Sequence, residues 1–328
     1  MNVSAASTYS APSLAELHAA SGVVYATMPP TPHYQWPVLA EALDVDVWVK
    51  HENHAPTGAF KVRGGLVYMS ALSRDRSVPG LMAATRGNHG QSVAFAAREH
   101  GIPVTIVVPR GNSVEKNAAM RALGAQLIED GEDFQEASEI AAALAERDGL
   151  HRVPSFHPLL VQGVATYAHE LFSVVPLLDT VYVPIGMGSG GCGTIAARDA
   201  LGVRTEIVGV VSASAPAYAL SLAEGRAISH AATTRIADGL ACRTPDPRAL
   251  AMLSAGLARV VQVTDDEVEA AMRVMFSATH NAAEGAGAAA LAGLVQEREA
   301  MRGRRVAVVL SGGNVDANVF ARVLGSGD

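Results

Sequence analysis

Cysteine is nearly absent: Cys192 and Cys242 are the two in 328 residues. That count excludes a disulfide-stapled scaffold, and extracellular proteins of this length commonly carry more. Charge is also sparse, 17% against 49% hydrophobic residues, which is far from the composition of a chain that stays disordered. Basic residues are the scarcer sign: 25 Lys and Arg against 32 Asp and Glu leave −7, and none precedes Lys50. Binding to a nucleic-acid backbone is therefore not expected. No aliphatic run approaches the roughly 18 residues of a membrane span. The longest, VTIVVP at 104–109 and VAVVL at 306–310, have strand length. The Ala/Ser-rich first 20 residues lack the basic start and apolar stretch of a secretory signal. A soluble, cytoplasmic protein without a membrane partner is expected. Neither Cys nor His falls at a zinc-ligand spacing, so no structural metal is expected.

What is present is an alternation of short apolar strands and amphipathic stretches, the pattern of α/β architecture with parallel-rich sheets and helices on both faces. Its clearest unit runs from a strand at Val104–Val108 through a helix at about 114–123 and Gly124 to a strand at 125–128, one βαβ crossover. A helix follows with Phe134, Ala137, Ile140, Ala141 and Leu144 on one face, and Gly149 ends it. Strands at 181–185, 206–211, 259–263 and 305–310 repeat the pattern further on, and Thr264 with Glu267 forms a capping box ahead of Val268, Met272 and Met275. The stretch 225–248, apart from a short apolar piece, lacks periodicity and reads as irregular surface; the first 12 residues read as mobile.

Four stretches carry chemistry. KHENHAPTGAFKVRGG, residues 50–65, flanks Lys61 with Ala59, Phe60 and Val62. Lysines are ordinarily solvated surface charges, but burial lowers the pKa and makes the amine a nucleophile or base. TRGNHGQSVAFAAR, residues 85–98, turns through glycines into a helix whose N-terminus favours an anion, or is a plain strand-to-helix turn. GMGSGGCGT, residues 186–194, follows the strand VYVPI and offers consecutive backbone N–H groups to an anion. Its GMGSGG also satisfies most of a dinucleotide fingerprint, so a nicotinamide-dependent dehydrogenase is the rival reading. LSGGNVD, residues 310–316, ends the last strong strand and places Ser311 under a ligand ring or in a simple turn.

In this order and spacing the four stretches resemble the fold type II pyridoxal phosphate enzymes, specifically the serine/threonine dehydratase branch, over residues 28–318. The resemblance implies a tryptophan synthase β-like fold of two domains, a large cofactor-binding domain at 1–79 and 158–328 and a small α/β domain at 80–157. It implies pyridoxal 5'-phosphate as cofactor, held by Lys61 as a Schiff base, with Phe60 packed beside the lysine. Asn88 then bonds the ring 3-hydroxyl, Gly188, Ser189, Gly190 and Gly191 hold the phosphate, and Ser311 faces the pyridine nitrogen. Glu284, in AEGAGAAALAG, matches the acidic residue ahead of a Gly/Ala-rich helix. Substrate binding falls to Thr85, Arg86, Gly87 and His89, and a homodimer is implied.

The resemblance further implies elimination of water and ammonia from a β-hydroxy-α-amino acid. A neutral hydroxyl at Ser311 would leave the pyridine nitrogen largely unprotonated, which favours elimination over transamination. Lys61 is the base at Cα. Where many relatives read SSGNHG this chain has Arg86, a poor acid, so racemisation is disfavoured. Arg86 is open to pairing with a second carboxylate, as in 3-hydroxyaspartate, or to stacking on an aromatic ring. Leu159, Leu160 and Val161 either make the mouth apolar, favouring phenylserine over threonine or serine, or belong to the core. SASAPAY, from Ser212 to Tyr218, lacks the acidic ligands of serine racemase-like relatives, so no Mg²⁺ or Ca²⁺ site is expected, while a monovalent ion stays open. The chain ends ten residues after Asn318, so a regulatory domain and amino-acid feedback are not expected. A scaffold that binds the cofactor without turnover is the non-enzyme alternative.

Overall fold

The computed structural model describes residues 11–74 and 78–326. The mobile segment expected over the first 12 residues lies, for 1–10, outside the described residues. Ten strands run in chain order: β1 (His33–Gln35), β2 (Asp46–His51), β3 (Leu81–Ala84), β4 (Val104–Val108), β5 (Gln126–Glu129), β6 (His151–Arg152), β7 (Thr180–Pro184), β8 (Glu206–Ser212), β9 (Arg259–Val263) and β10 (Arg305–Leu310). They form two sheets. The larger has the order β1-β2-β10-β7-β8-β9, and the smaller, all from residues 81–152, has the order β5-β4-β3-β6. Apart from the antiparallel β1–β2 pair, every pairing is parallel. Helices cover both faces, which is why β7 is buried along its whole length and reads as an unbroken apolar run rather than an alternation.

Register follows from burial. Val306, Val308 and Leu310 of β10 lie opposite Val47, Val49 and His51 of β2, and the two pairs of valines share one core with the helix Gly285–Gln296. The other face of the same sheet, with Val181, Val183 and Ala307, packs on the helices Pro158–Val174 and Ser189–Leu201. A small-residue seam lets helices touch through backbone. A Cβ on Gly163 would lie 2.2 Å from Arg63 O, and one on Gly64 would lie 2.8 Å from Leu160 O. The helix Lys61–Leu72 is thus pinned against Pro158–Val174.

Most strand boundaries agree with the periodicity to within one residue, and the capping box of Thr264 and Glu267 is formed. Within 225–248 the reading as irregular surface holds for 225–235 and fails over 236–242. Ile236, Ala237, Leu240 and Cys242 are buried, and Gly239 approaches Gly186 so closely that a Cβ on Gly186 would meet Gly239 O at 2.1 Å. Irregular backbone hides its apolar residues from a periodicity test, because their burial depends on what lies across from them and not on their spacing. No helix of the described residues is long and apolar enough to cross a membrane.

Candidate active site

The carboxyl ends of β3 and β7 point into one cleft with about 840 Å³ of empty space, the place where open α/β sheets bind ligands. Lys61, Thr85, Asn88, His89, Gly188 and Ser189 line it. The first three chemical stretches therefore meet there. The fourth closes on them from behind: Phe60 N–H donates to Ser311 O at 3.0 Å, and Ala59 bridges Gly312.

Lys61 opens the helix Lys61–Leu72, and Ser189 opens the helix Ser189–Leu201. Lys61 Nζ donates to Ser189 Oγ at 2.8 Å and stands 5.0 Å from the centroid of the Phe60 ring. The Phe60 ring in turn meets Tyr167 edge to face. No carboxylate pairs with the amine among the described residues, and burial drives its pKa down to about 8. Two residues along the same helix the situation reverses. Arg63 is fully buried and donates to Glu52, Glu170, Thr166 and Thr31, while Lys50 donates to Glu170 at 2.5 Å. Two buried cations and two buried carboxylates thus neutralise each other beneath Lys61 and leave its amine as the uncompensated one.

The Gly-rich loop leads into the second helix through Gly188, whose φ of 95° is left-handed. The first bond within that helix runs from Cys192 N–H to Gly188 O, so the amides of Ser189, Gly190 and Gly191 precede its ladder. A bare amide nest facing a desolvated amine suits a phosphorylated aldehyde, the amine for the carbonyl and the nest for the phosphate. Pyridoxal phosphate fits these residues on that ground. The amides of GMGSGG lie ahead of the helix ladder, the arrangement of an anion nest.

Across the cleft, Thr85 Oγ1 accepts from Gly87 N–H at 2.9 Å and Gly90 N–H at 3.2 Å, which shapes the turn and leaves its own proton to donate. Arg86 lines the cleft, with its Nε buried and without a hydrogen-bond partner. Burial lowers His89 to about 3, Lys61 adding to the effect, so the imidazole is neutral, and its Nε2 has no partner. Gly87 admits the stem of Lys116, for a Cβ there would fall 2.3 Å from Lys116 Cδ. Asn88 Nδ2 donates to Glu284 Oε1 at 2.5 Å. Ser311 Oγ is buried and finds Ala286 O at 3.4 Å.

Leu159, Leu160 and Val161 do not face the cleft. Leu160 and Val161 are buried in the two cores on either side of their helix, and Leu159 packs against the first of these. Three adjacent helical residues point in three directions, so their shared apolarity reflects two cores rather than one pocket wall. The outer end of the cleft is instead walled by Phe134, Met187, Ala241 and Cys242, beside Arg86.

Lys116 and Asp238 belong to the site and lie outside the four stretches, while Asn314, which also belongs to it, lies within LSGGNVD three residues after Ser311. Lys116 donates to Glu284 Oε2 at 2.9 Å and to Asp238 Oδ2 at 2.8 Å. A signal for it existed: the chain has only three lysines, Lys50, Lys61 and Lys116, beside 22 arginines. A residue type so sparingly used is placed where arginine does not serve.

The family model described as "Pyridoxal-phosphate dependent enzyme" matches residues 25–312. An L-threonine ammonia-lyase of Thermotoga maritima is 34% identical over 291 residues, 88% of this chain and 72% of that protein. An L-threo-3-hydroxyaspartate ammonia-lyase of Saccharomyces cerevisiae is 29% identical over 288 residues, 88% of each chain. Among solved structures, the processed form of threonine deaminase isoform 2 from Solanum lycopersicum superposes with a TM-score of 0.87 at 28% identity, covering 97% of this chain and 95% of that one. With its lysine, its amide nest and the match spanning nearly all of the sequence, the chain belongs to the pyridoxal-phosphate dependent enzymes.

Proposed function

We propose that this protein is an ammonia-lyase that converts a β-hydroxy-α-amino acid into a 2-oxo acid and ammonia. The observation that carries the reading is the Lys61 amine, desolvated, without a carboxylate partner, and 2.8 Å from Ser189 at the mouth of the amide nest. In this reading Lys61 holds the cofactor, the amides of 188–191 hold its phosphate, Asn88 donates to the ring hydroxyl, and Ser311 faces the ring nitrogen. Once bound, pyridoxal phosphate supplies an electron sink for the charge that develops at Cα. The Thr85 hydroxyl, with the free amides of its turn, orients the substrate carboxylate. Lys61 Nζ, with its pKa near 8, takes the Cα proton, the β-hydroxyl takes up a proton and departs as water, and the enamine that is released tautomerises and hydrolyses to the 2-oxo acid and ammonia. Neutral His89 packs against the site without competing for that proton.

Threonine or 3-hydroxyaspartate, the substrates in the relatives' names, is the first substrate class, with serine beside them. A second reading keeps phenylserine, resting now on Phe134 and Met187 at the outer end of the cleft and no longer on 159–161. An apolar wall of that kind contributes roughly 2 kcal/mol on burying a phenyl in place of a methyl, about 30-fold in specificity. The test is ammonia and 2-oxo acid release from threonine, serine, 3-hydroxyaspartate and phenylserine. Threonine, 3-hydroxyaspartate or serine leading supports the first reading, phenylserine leading tenfold supports the second, and no release from any of the four removes both.

A further inference from the structure

Beside the cleft runs a chain of hydrogen bonds whose direction is set at both ends. One end is the backbone carbonyl of Thr57, which can only accept, and Asn314 Nδ2 donates to it at 2.8 Å. The same nitrogen donates to Asn88 Oδ1 at 2.9 Å, so the NH₂ of Asn88 must face the other way, toward Glu284. The other end is the ammonium of Lys116, which can only donate, and it holds Glu284 Oε2 and Asp238 Oδ2. Glu284 therefore lies between two donors, and only a carboxylate, accepting at both oxygens, satisfies them. One proton of the Asn88 NH₂ serves Glu284; the second is left for the cleft that Asn88 lines.

The side chains of Glu284 and Lys116 are 3% and 7% exposed, so neither has water to replace the other. The charged groups facing Glu284 are Lys116, from the helix Val114–Ala122, and Asp238, from the turn Asp238–Leu240. Burial raises the Glu284 carboxyl above the ordinary carboxylate value, Asp238 adds to this, and Lys116 and the Asn88 N–H work against it. Without Lys116 a proton binds, the neutral carboxyl can present either its C=O or its O–H to Asn88, and only Asn314 is left to set the orientation of that amide.

We propose that Lys116 is a positioning residue which, by keeping Glu284 a carboxylate, locks the Asn88 amide with an N–H rather than its C=O toward the ring hydroxyl of the cofactor. This rests on the reading that places pyridoxal phosphate in the cleft. The role differs from packing, because it acts through the protonation of a neighbour and therefore changes with pH.

The test compares holoenzymes of the wild type, Lys116→Met, Glu284→Gln and the double variant from pH 6 to pH 9. The readouts are the Kd for pyridoxal phosphate and the position of its visible absorption band, each relative to the wild type at the same pH. Lys116→Met is expected to raise Kd at least fivefold at pH 6 and to shift the band, with both defects shrinking toward pH 9 as Glu284 ionises. Glu284→Gln alone must turn its NH₂ toward Lys116 or Asn88 and is expected to shift the band at every pH. In the double variant the introduced amide, like the protonated carboxyl, can present either its C=O or its donor to Asn88, so Kd should match that of Lys116→Met at pH 6 to within twofold and lose the extra pH dependence. A smaller effect of Lys116→Met, or one flat in pH, overturns the proposal. If Lys116→Met does not fold, an unshifted band in Glu284→Gln overturns it instead. Failure of the wild type to bind pyridoxal phosphate would overturn the cofactor reading itself, a distinct result.

Discussion

Lys61 Nζ and Ser189 Oγ, 2.8 Å apart, join the first residues of two helices, so two positive helix ends converge on one amine. An N-terminal field disfavours a cation and welcomes an anion. The arrangement thus favours the neutral nucleophile and the phosphate together, in the same direction as the burial that lowers Lys61 to about 8.

The pH dependence of cofactor uptake follows from that value. Only the neutral amine attacks a carbonyl, so the rate at which apoenzyme takes up pyridoxal phosphate should rise with pH and level off above about 8. Stopped-flow absorbance across pH 6 to 11 checks it. A midpoint near 10.5, the value of an ordinary lysine, would mean that the amine is not desolvated. Lys61→Ala should lose the visible band and ammonia release together.

Arg63 is expected to be a stability residue with a functional consequence. Arg63→Leu leaves Glu52 and Glu170 buried with one cation, Lys50, between them. Breaking a buried pair of this kind costs about 3–5 kcal/mol, measured as a fall in the denaturant midpoint. Arg63→Lys should recover little, since one ammonium cannot reproduce bonds from Nε and both terminal nitrogens to four residues. Full stability in Arg63→Lys would show that charge alone is what the network requires.

Leu160 and Phe134 should separate core from pocket. Leu160→Ala is expected to cost about 2–5 kcal/mol of stability, as a buried truncation does, while leaving the ratio of kcat/KM between phenylserine and threonine within twofold. Phe134→Ala should do the opposite, changing that ratio severalfold with a small loss of stability, because Phe134 walls the cleft. A ratio that moves in Leu160→Ala and not in Phe134→Ala contradicts the assignment of these walls.

Gly163 tests the seam behind Lys61. A methyl group there meets Arg63 O at 2.2 Å and Arg63 C at 2.7 Å, both backbone atoms that no rotamer can move. Gly163→Ala should therefore push the two helices apart, costing at least about 1–3 kcal/mol and weakening cofactor retention with it. Thermal unfolding and dialysis of the holoenzyme report the two effects. Unaltered retention would mean that Lys61 does not depend on this contact.

The α/β alternation, the crossover from β4 to β5, the capping box at Thr264 and the stretches around Lys61, Asn88, Ser189 and Ser311 were all legible from the chain alone, because each is a local pattern of spacing, glycine and apolarity. Leu159, Leu160 and Val161 were not. Composition cannot say toward which side of a helix each residue points or what stands there, and the three divide between two cores. The buried part of 225–248, from Ile236 to Cys242, is hidden for the mirror reason, since an aperiodic segment can still be buried when other backbone closes over it, as Gly239 does against Gly186.

The sequence by itself therefore determined the alternation of elements, the nest at 188–191 and the lysine that faces it, since these need only residues close together along the chain. Tertiary structure alone decided that Lys116, Asp238, Glu284, Asn88 and Asn314 form one directed chain of hydrogen bonds. Those five residues come from separate segments, and a buried charge acquires its protonation state and its orientation from whichever partners the fold brings within about 3 Å, where water cannot take their place.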